Sequence, residues 1–238
     1  DYDANQYGGF IYTSSDSGAT WTEHTTAGLH EWKTIASSSD GTRLTAAANE
    51  ENEEGDNVGF IYTSTDSGAT WTEQTAAGER EWRSVASSAD GTKLVALESN
   101  QSVGSRYAYT SVDSGVTWTE RTVDPSVMQI WKSVTSSADG THLVAVSSGD
   151  AYWDPGAIYT STDSGVTWTE RGTAGAHFWQ SVASSSDGTR LVATVSIGFV
   201  YTSSDAGATW TAQTAAGENE WRPIASSADG MKLTVASQ

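Results

Sequence analysis

Residues 149–156 read Gly-Asp-Ala-Tyr-Trp-Asp-Pro-Gly, and recognition chemistry is most concentrated there. Tyr152 and Trp153 offer flat rings, and Asp150 and Asp154 flank them with carboxylates. An aromatic face can stack on a sugar ring or an ammonium group while the carboxylates take its hydroxyl or N–H protons. The competing reading is a loop that anchors itself by burying its own aromatics. Trp153 stands apart because the other ten of the eleven tryptophans recur at fixed positions.

Glu50, Glu51, Glu53, Glu54 and Asp56 form an acidic run. A calcium ion needs oxygen ligands that converge in space, and the spacing of an EF-hand loop is missing. The expectation is a solvated acidic loop; calcium is compatible with it but not predicted, and no cofactor is expected. His24, His30, His142 and His177 lack any paired ligand spacing, so no metal site is assigned to them. The chain has no cysteine, which removes disulfides, thiolate nucleophiles and Cys-based metal sites. Asn100-Gln101-Ser102 matches the glycosylation acceptor pattern, a weak signal in any three residues.

Thirty acidic residues against twelve basic ones give a formal charge of −18 over 238 residues. That field argues against nucleic acid and anionic membrane surfaces as partners. No apolar run approaches the length of a membrane span. The chain opens Asp1-Tyr2-Asp3 with no signal peptide, which decides nothing about a processed or trimmed chain.

The elements that must position these residues are repeats. Tyr12-Thr13-Ser14-Ser15-Asp16-Ser17-Gly18-Ala19-Thr20-Trp21 returns at Tyr62–Trp71, Tyr109–Trp118, Tyr159–Trp168 and Tyr201–Trp210. Strand formers flank a run of turn formers, with glycine for the positive φ and aspartate to accept backbone N–H bonds. The spacing Ser-x-Asp-x-Gly-x-Thr-Trp resembles the Asp-box, or BNR repeat, of sialidase-like β-propellers. The resemblance implies that Asp16, Asp66, Asp113, Asp163 and Asp205 are structural turn residues remote from any active site.

A second element runs from Glu31-Trp32 to Leu44, with relatives opening at Trp82, Trp131, Trp179 and Trp221 and turning at an Asp-Gly pair. Asp-Gly between two β runs is a hairpin signal. The box tryptophan recurs every 42 to 50 residues, and Phe10–Leu44 matches Phe60–Leu94 at 25 of 35 positions, which points to recent duplication or deliberate construction. A four-stranded unit of this period is a propeller blade. The expectation is therefore an all-β, five-bladed β-propeller of four-stranded antiparallel blades, a single domain over 1–238. Its blades cover about 32–75, 82–122, 131–172 and 179–214. A closing blade joins 221–238 to 7–25, pairing the C-terminal first and second strands with the N-terminal third and fourth.

In such a meander the Asp-Gly and Asp-box turns share one face and the variable loops share the other, where binding usually resides. Trp32, Trp82, Trp131, Trp179 and Trp221 open the first strand from the variable side. They are either stacking platforms for sugar rings or wedges packed between blades, the commoner fate of a regularly repeated aromatic. Glu31, Glu81 and Glu220 precede them in three repeats, and Ile130 and Phe178 break the ring. Sialidases hold their substrate with an arginine triad. Here Arg43, Arg83, Arg190 and Arg222 alternate with Lys in sister repeats and read as surface, while Arg80 and Arg106 lie in variable loops. The resemblance thus covers the fold and not the catalytic apparatus. The expected function is a non-enzymatic, secreted, lectin-like protein, extracellular or cell-surface, monomeric, recognising carbohydrate or glycoprotein. Alternatives are a protein-interaction scaffold with no small ligand and, third, a glycoside hydrolase.

Overall fold

The computed structural model describes residues 8–52, 55–99, 105–148 and 155–238. Each Asp-box folds as one hydrogen-bonded knot. In the second copy Ser64 Oγ donates to Asp66 Oδ1 at 2.8 Å and accepts from Gly68 N at 2.9 Å. Asp66 then accepts from Thr70 N at 2.8 Å and from Thr70 Oγ1 at 2.6 Å. Every polar residue of the motif is thereby used, which explains why its types cannot drift. The turn needs two successive left-handed residues, Ser67 at φ 60° and Gly68 at φ 92°.

These turns join strands into four antiparallel four-stranded sheets. A hairpin precedes them, β1 (Ile11–Thr13) with β2 (Thr22–His24). The first sheet holds β3 (Trp32–Ser37) and β4 (Leu44–Ala48). A small hairpin follows, β5 (Glu50–Glu51) with β6 (Asn57–Val58). The first sheet is completed by β7 (Ile61–Ser64) and β8 (Thr72–Glu73). The second sheet is β9 (Trp82–Ser87), β10 (Leu94–Glu98), β11 (Tyr107–Ser111) and β12 (Thr119–Thr122). The third is β13 (Trp131–Ser136), β14 (Leu143–Ser147), β15 (Ile158–Ser161) and β16 (Thr169–Glu170). The fourth is β17 (Trp179–Ser184), β18 (Leu191–Val195), β19 (Val200–Ser203) and β20 (Thr211–Gln213). A last hairpin pairs β21 (Trp221–Ser226) with β22 (Leu233–Ser237).

The second strand of each complete sheet is buried on both faces, so it reads Leu-Val-Ala or Leu-Thr-Ala without alternation. Its neighbours supply the interfaces between sheets. The first strands lie side by side in the order β3, β9, β13, β17, β21. One backbone bond per junction ties their Asp-Gly turns: Ser39 N to Ala89 O, Ala89 N to Ala138 O, Ala138 N to Ser186 O and Ser186 N to Ala228 O, all 2.7–2.8 Å.

Among the described residues the expected closing sheet is not formed. β1–β2 and β21–β22 each remain two-stranded, and β21 packs on β17 and β18 rather than returning to β3. Some of the exposed large apolar residues lie at the two ends, and others, such as Val112 and Ile197, lie in turns and loops between them. Ile35 on β3 is 55% exposed, whereas its counterparts Val85, Val134 and Val182 are 5–6% exposed. Leu233, Met231, Tyr12 and Trp21 are exposed too. No helix among the described residues is long and apolar enough to cross a membrane.

Candidate functional site

The two kinds of connection separate onto two faces as the meander requires. On one, each Asp-box turn bonds the Asp-Gly turn of its own sheet: Ser67 N to Thr42 O, Ser114 N to Thr92 O, Ser164 N to Thr141 O and Ala206 N to Thr189 O. On the other, a lone β-bridge joins the two variable loops of every repeat: Gly9 to His30, Gly59 to Arg80, Ser105 to Gln129, Gly156 to His177 and Gly198 to Asn219.

Those bridges place a variable side chain at one equivalent position in each repeat, and in four of the five it lies against the tyrosine of a third strand. His30 lies 5.0 Å from Tyr62 between ring centroids, and His177 lies 5.0 Å from Tyr201, accepting or donating through Nε2 at 2.9 Å. Arg80 stacks its guanidinium 4.4 Å from the centre of Tyr109 and bonds Glu98 at 3.0 Å. Gln129 donates to the Tyr159 hydroxyl at 3.2 Å. One scaffold therefore carries His, Arg, Gln and His at equivalent points. Sequence reading scattered the histidines because it had no bridge to align them; their place two residues before each strand-opening tryptophan was the available signal.

The strand-opening tryptophans are corrected as ligand platforms. Trp82, Trp131 and Trp179 are fully buried and Trp221 is buried, leaving no ring face for a ligand; Trp32, at the open end, is partly buried. They are wedges, packed edge-on against Tyr62, Tyr109, Tyr159 and Tyr201 in four repeats at 5.1–5.5 Å. A bulge after Trp32, Trp82, Trp131 and Trp179 inserts Lys33, Arg83, Lys132 and Gln180 into the first strand. Arg83 and Arg222 are exposed, in keeping with their reading as surface residues. Burial lowers the Lys132 pKa, the positive charges of Arg83 and Arg222 add to that effect, and Glu81 opposes it.

The patch Asp150, Tyr152, Trp153 and Asp154 lies outside the described residues, as do Glu53, Glu54 and Asn100–Ser102. The described rest of the acidic run, Glu50, Glu51 and Asp56, is exposed as expected of a solvated segment, and it is built as a short hairpin. Glu50 and Glu51 pair with Val58 and Asn57, and Asp56 N donates to Asn52 Oδ1 at 2.8 Å.

This hairpin walls a cleft of about 250 Å³ above the first sheet. Glu50, Glu51, Glu73 and Glu79 line it with Phe60 and Tyr62, and His30 closes one side by bonding Glu50. Tyr62 donates to Glu73 Oε2 at 3.0 Å, and burial together with that carboxylate raises its pKa well above the phenol range, so it stays a donor. The cleft has carboxylate acceptors and aromatic edges, and no guanidinium or ammonium among its lining residues. No group of three or more His, Asp or Glu suited to a metal ion occurs among the described residues.

The fold and this lining can now be set beside known proteins. No family profile and no curated protein sequence matches the chain. Solved β-propeller structures match its shape. An ancestral GH74 enzyme superposes with a TM-score of 0.68 at 14% identity, over 98% of this chain and 32% of that one. A nidogen/laminin complex gives 0.62 at 11% identity, over 91% of this chain and 76% of that chain. YCF48 bound to D1 peptide gives 0.59 at 18%, over 91% and 65%. The chain spans about a third of the ancestral enzyme's length. At these identities the likeness shows an all-β propeller-type fold and nothing of activity.

Proposed function

We propose that the chain is a non-catalytic, lectin-like binding module that acts outside the cell, with its site in the acidic cleft over the first sheet. The ligand class is a neutral or amino sugar, alone or displayed on a glycoprotein. The observation that supports this reading is the pairing of Glu50, Glu51, Glu73 and Glu79 with Phe60 and Tyr62 around about 250 Å³. Carboxylates accept protons from sugar hydroxyls or an ammonium, while ring edges take the apolar face of a pyranose. The same charges repel sialic, uronic and sulfated sugars. The volume is below the usual range of drug-sized sites, which fits a single ring.

Titration with neutral, amino and anionic saccharides, followed by calorimetry and tryptophan fluorescence, tests the proposal. Trp32 reports locally, since its ring lies 5.2 Å from those of both His30 and Tyr62. Amino and neutral sugars bind, anionic ones do not, and Glu51→Gln with Glu79→Gln weakens the amino sugar most. A blank across the panel from folded protein removes the lectin reading. Capture of a lysine-rich peptide in its place supports the scaffold reading, in which a partner's ammonium enters this cleft. Turnover of an aryl glycoside would overturn the non-catalytic reading.

A further inference from the structure

Two positions lie together beside the tyrosine of a third strand. One is the residue two before the strand-opening tryptophan, and the other is the second-strand residue paired with that tryptophan. Register puts Ala48 opposite Trp32, Glu98 opposite Trp82 and Ser147 opposite Trp131. The two positions change as a pair. In the second sheet Arg80 Nη1 donates to Glu98 Oε2 at 3.0 Å, and in the third Ser147 Oγ donates to Gln129 Oε1 at 2.5 Å. In the first sheet the pair is His30 and Ala48, which have nothing to exchange. His30 bonds Glu50 instead, and Ala48 lines the cleft of about 250 Å³.

The second sheet shows what this location accepts. The Arg80 guanidinium lies 4.4 Å from the centre of the Tyr109 ring, and Tyr109 donates to Glu120 Oε2 at 3.0 Å. Ser105 Oγ holds the other oxygen of Glu98 at 2.8 Å. The Glu98 side chain is mostly buried, so the guanidinium answers its charge there. The first sheet repeats the frame, with Tyr62 donating to Glu73 Oε2 at 3.0 Å across the same separation in sequence. It supplies carboxylates from Glu50, Glu51, Glu73 and Glu79, and no guanidinium or ammonium is among the lining residues of the cleft. Room opens where Ala48 stands in place of a glutamate and an imidazole in place of the longer guanidinium arm.

We propose that this cleft selects a cationic ligand and that His30 and Ala48 are the residues that open it. The ammonium of an amino sugar binds beside Tyr62 among the carboxylates of Glu50, Glu51 and Glu79, as the Arg80 guanidinium lies between Tyr109 and Glu98. This selectivity rests on the lectin-like reading above and narrows its ligand class to amino sugars. An ammonium gains charge-assisted bonds and the attraction of an aromatic ring, whereas a hydroxyl or acetamide in its place lacks the full charge that both need.

Filling the cleft with this chain's own alternative tests the proposal. His30→Arg with Ala48→Glu installs the Arg80–Glu98 pair beside Tyr62. It adds one charge of each sign, so the formal net charge stays −18 and the general attraction for cations is unchanged. Glucosamine, N-acetylglucosamine and glucose are titrated by calorimetry in about 0.15 M salt, where a Debye length of about 8 Å screens distant charges. The unsubstituted chain is expected to bind glucosamine about tenfold or more tighter than either neutral sugar. The double variant is expected to lose about tenfold or more in glucosamine affinity and to keep or exceed the original urea midpoint. Equal affinity for the three sugars in the unsubstituted chain overturns the selectivity and leaves the lectin reading standing, whereas a blank for all three from folded protein removes both. Full glucosamine affinity in a folded double variant overturns the assignment to His30 and Ala48. Should the buried Ala48→Glu change prevent folding, His30→Arg alone is read in its place. Its guanidinium enters the cleft and weakens glucosamine by a similar factor; unchanged affinity overturns the assignment.

Discussion

Trp21 and Trp71 hold the same place in successive repeats, yet Trp21 is 64% exposed and Trp71 is 9% exposed. The difference is the packing of a preceding hairpin: Trp71 packs with Ile11, Leu44 and Trp32, while no sheet among the described residues covers Trp21. Trp71→Ala should therefore lose about 3–5 kcal/mol, the range for emptying a buried aromatic site. Trp21→Ala should lose under about 1 kcal/mol in dilute, monomeric protein. Urea unfolding of both variants measures this, and equal losses would contradict the open end.

Acid should unfold the protein through its turns. Hydrogen bonds from Thr70 and Ser64 hold the Asp66 carboxyl at about 2, and Thr20 and Ser14 do the same for Asp16. The Asp-Gly turns repeat the effect, with Ser88 and Thr92 holding Asp90 at about 2. Each folded pKa lies below the unfolded value near 3.8, so the unfolded chain binds more protons in that interval. The stability these groups supply is complete above about pH 5 and is lost as pH falls from about 4 towards 2. Urea midpoints across pH should be flat and then fall in that window. Asp66→Asn should start lower and fall less steeply.

The repeat unit was legible because its signals are local. Ser-x-Asp-x-Gly-x-Thr-Trp closes its own hydrogen bonds within eight residues, so spacing alone specifies the turn. The burial of Trp82, Trp131 and Trp179 depends on the neighbouring sheet, which no local pattern encodes; the repeat was visible and its depth was not. Closure is harder still. Leu233 follows an Asp-Gly turn as Leu191 does, yet it is exposed where β21–β22 remains two-stranded among the described residues. The acidic cleft escaped for a related reason: Glu79 and Glu50 come from different loops and meet over Tyr62 only after the sheet forms.

Trp82 and Trp131 are equally buried wedges that differ in one hydrogen bond. Trp82 Nε1 donates to Gly59 O at 3.1 Å, whereas Trp131 Nε1 is buried without a partner among the described residues. Replacing either by Phe removes similar apolar volume. Trp82→Phe also removes a bond of about 0.5–1.5 kcal/mol, while Trp131→Phe removes an unsatisfied donor. The loss at Trp82 should exceed that at Trp131 by about 1 kcal/mol in matched urea titrations. The reverse order would show that Trp131 finds a partner in solution.

Arg80 joins three groups that a lysine cannot reach together. Its Nε donates to Ala77 O at 3.1 Å, its Nη1 to Glu98 at 3.0 Å, and its plane covers Tyr109 at 4.4 Å. Arg80→Lys keeps the charge but loses the planar fork, so it should destabilise by about 1 kcal/mol, the partial exposure of the pair trimming the ionic share. A purely packing role would predict the same for Arg80→Gln. The phenol separates the two. Burial first, then Glu98, raises the Tyr109 pKa far above its usual value, and the Arg80 charge opposes them. Arg80→Gln should push Tyr109 ionisation still higher in a spectrophotometric alkaline titration, while Arg80→Lys should move it much less. Identical titration curves for the two variants would show that Arg80 acts on Tyr109 by contact alone, without its charge.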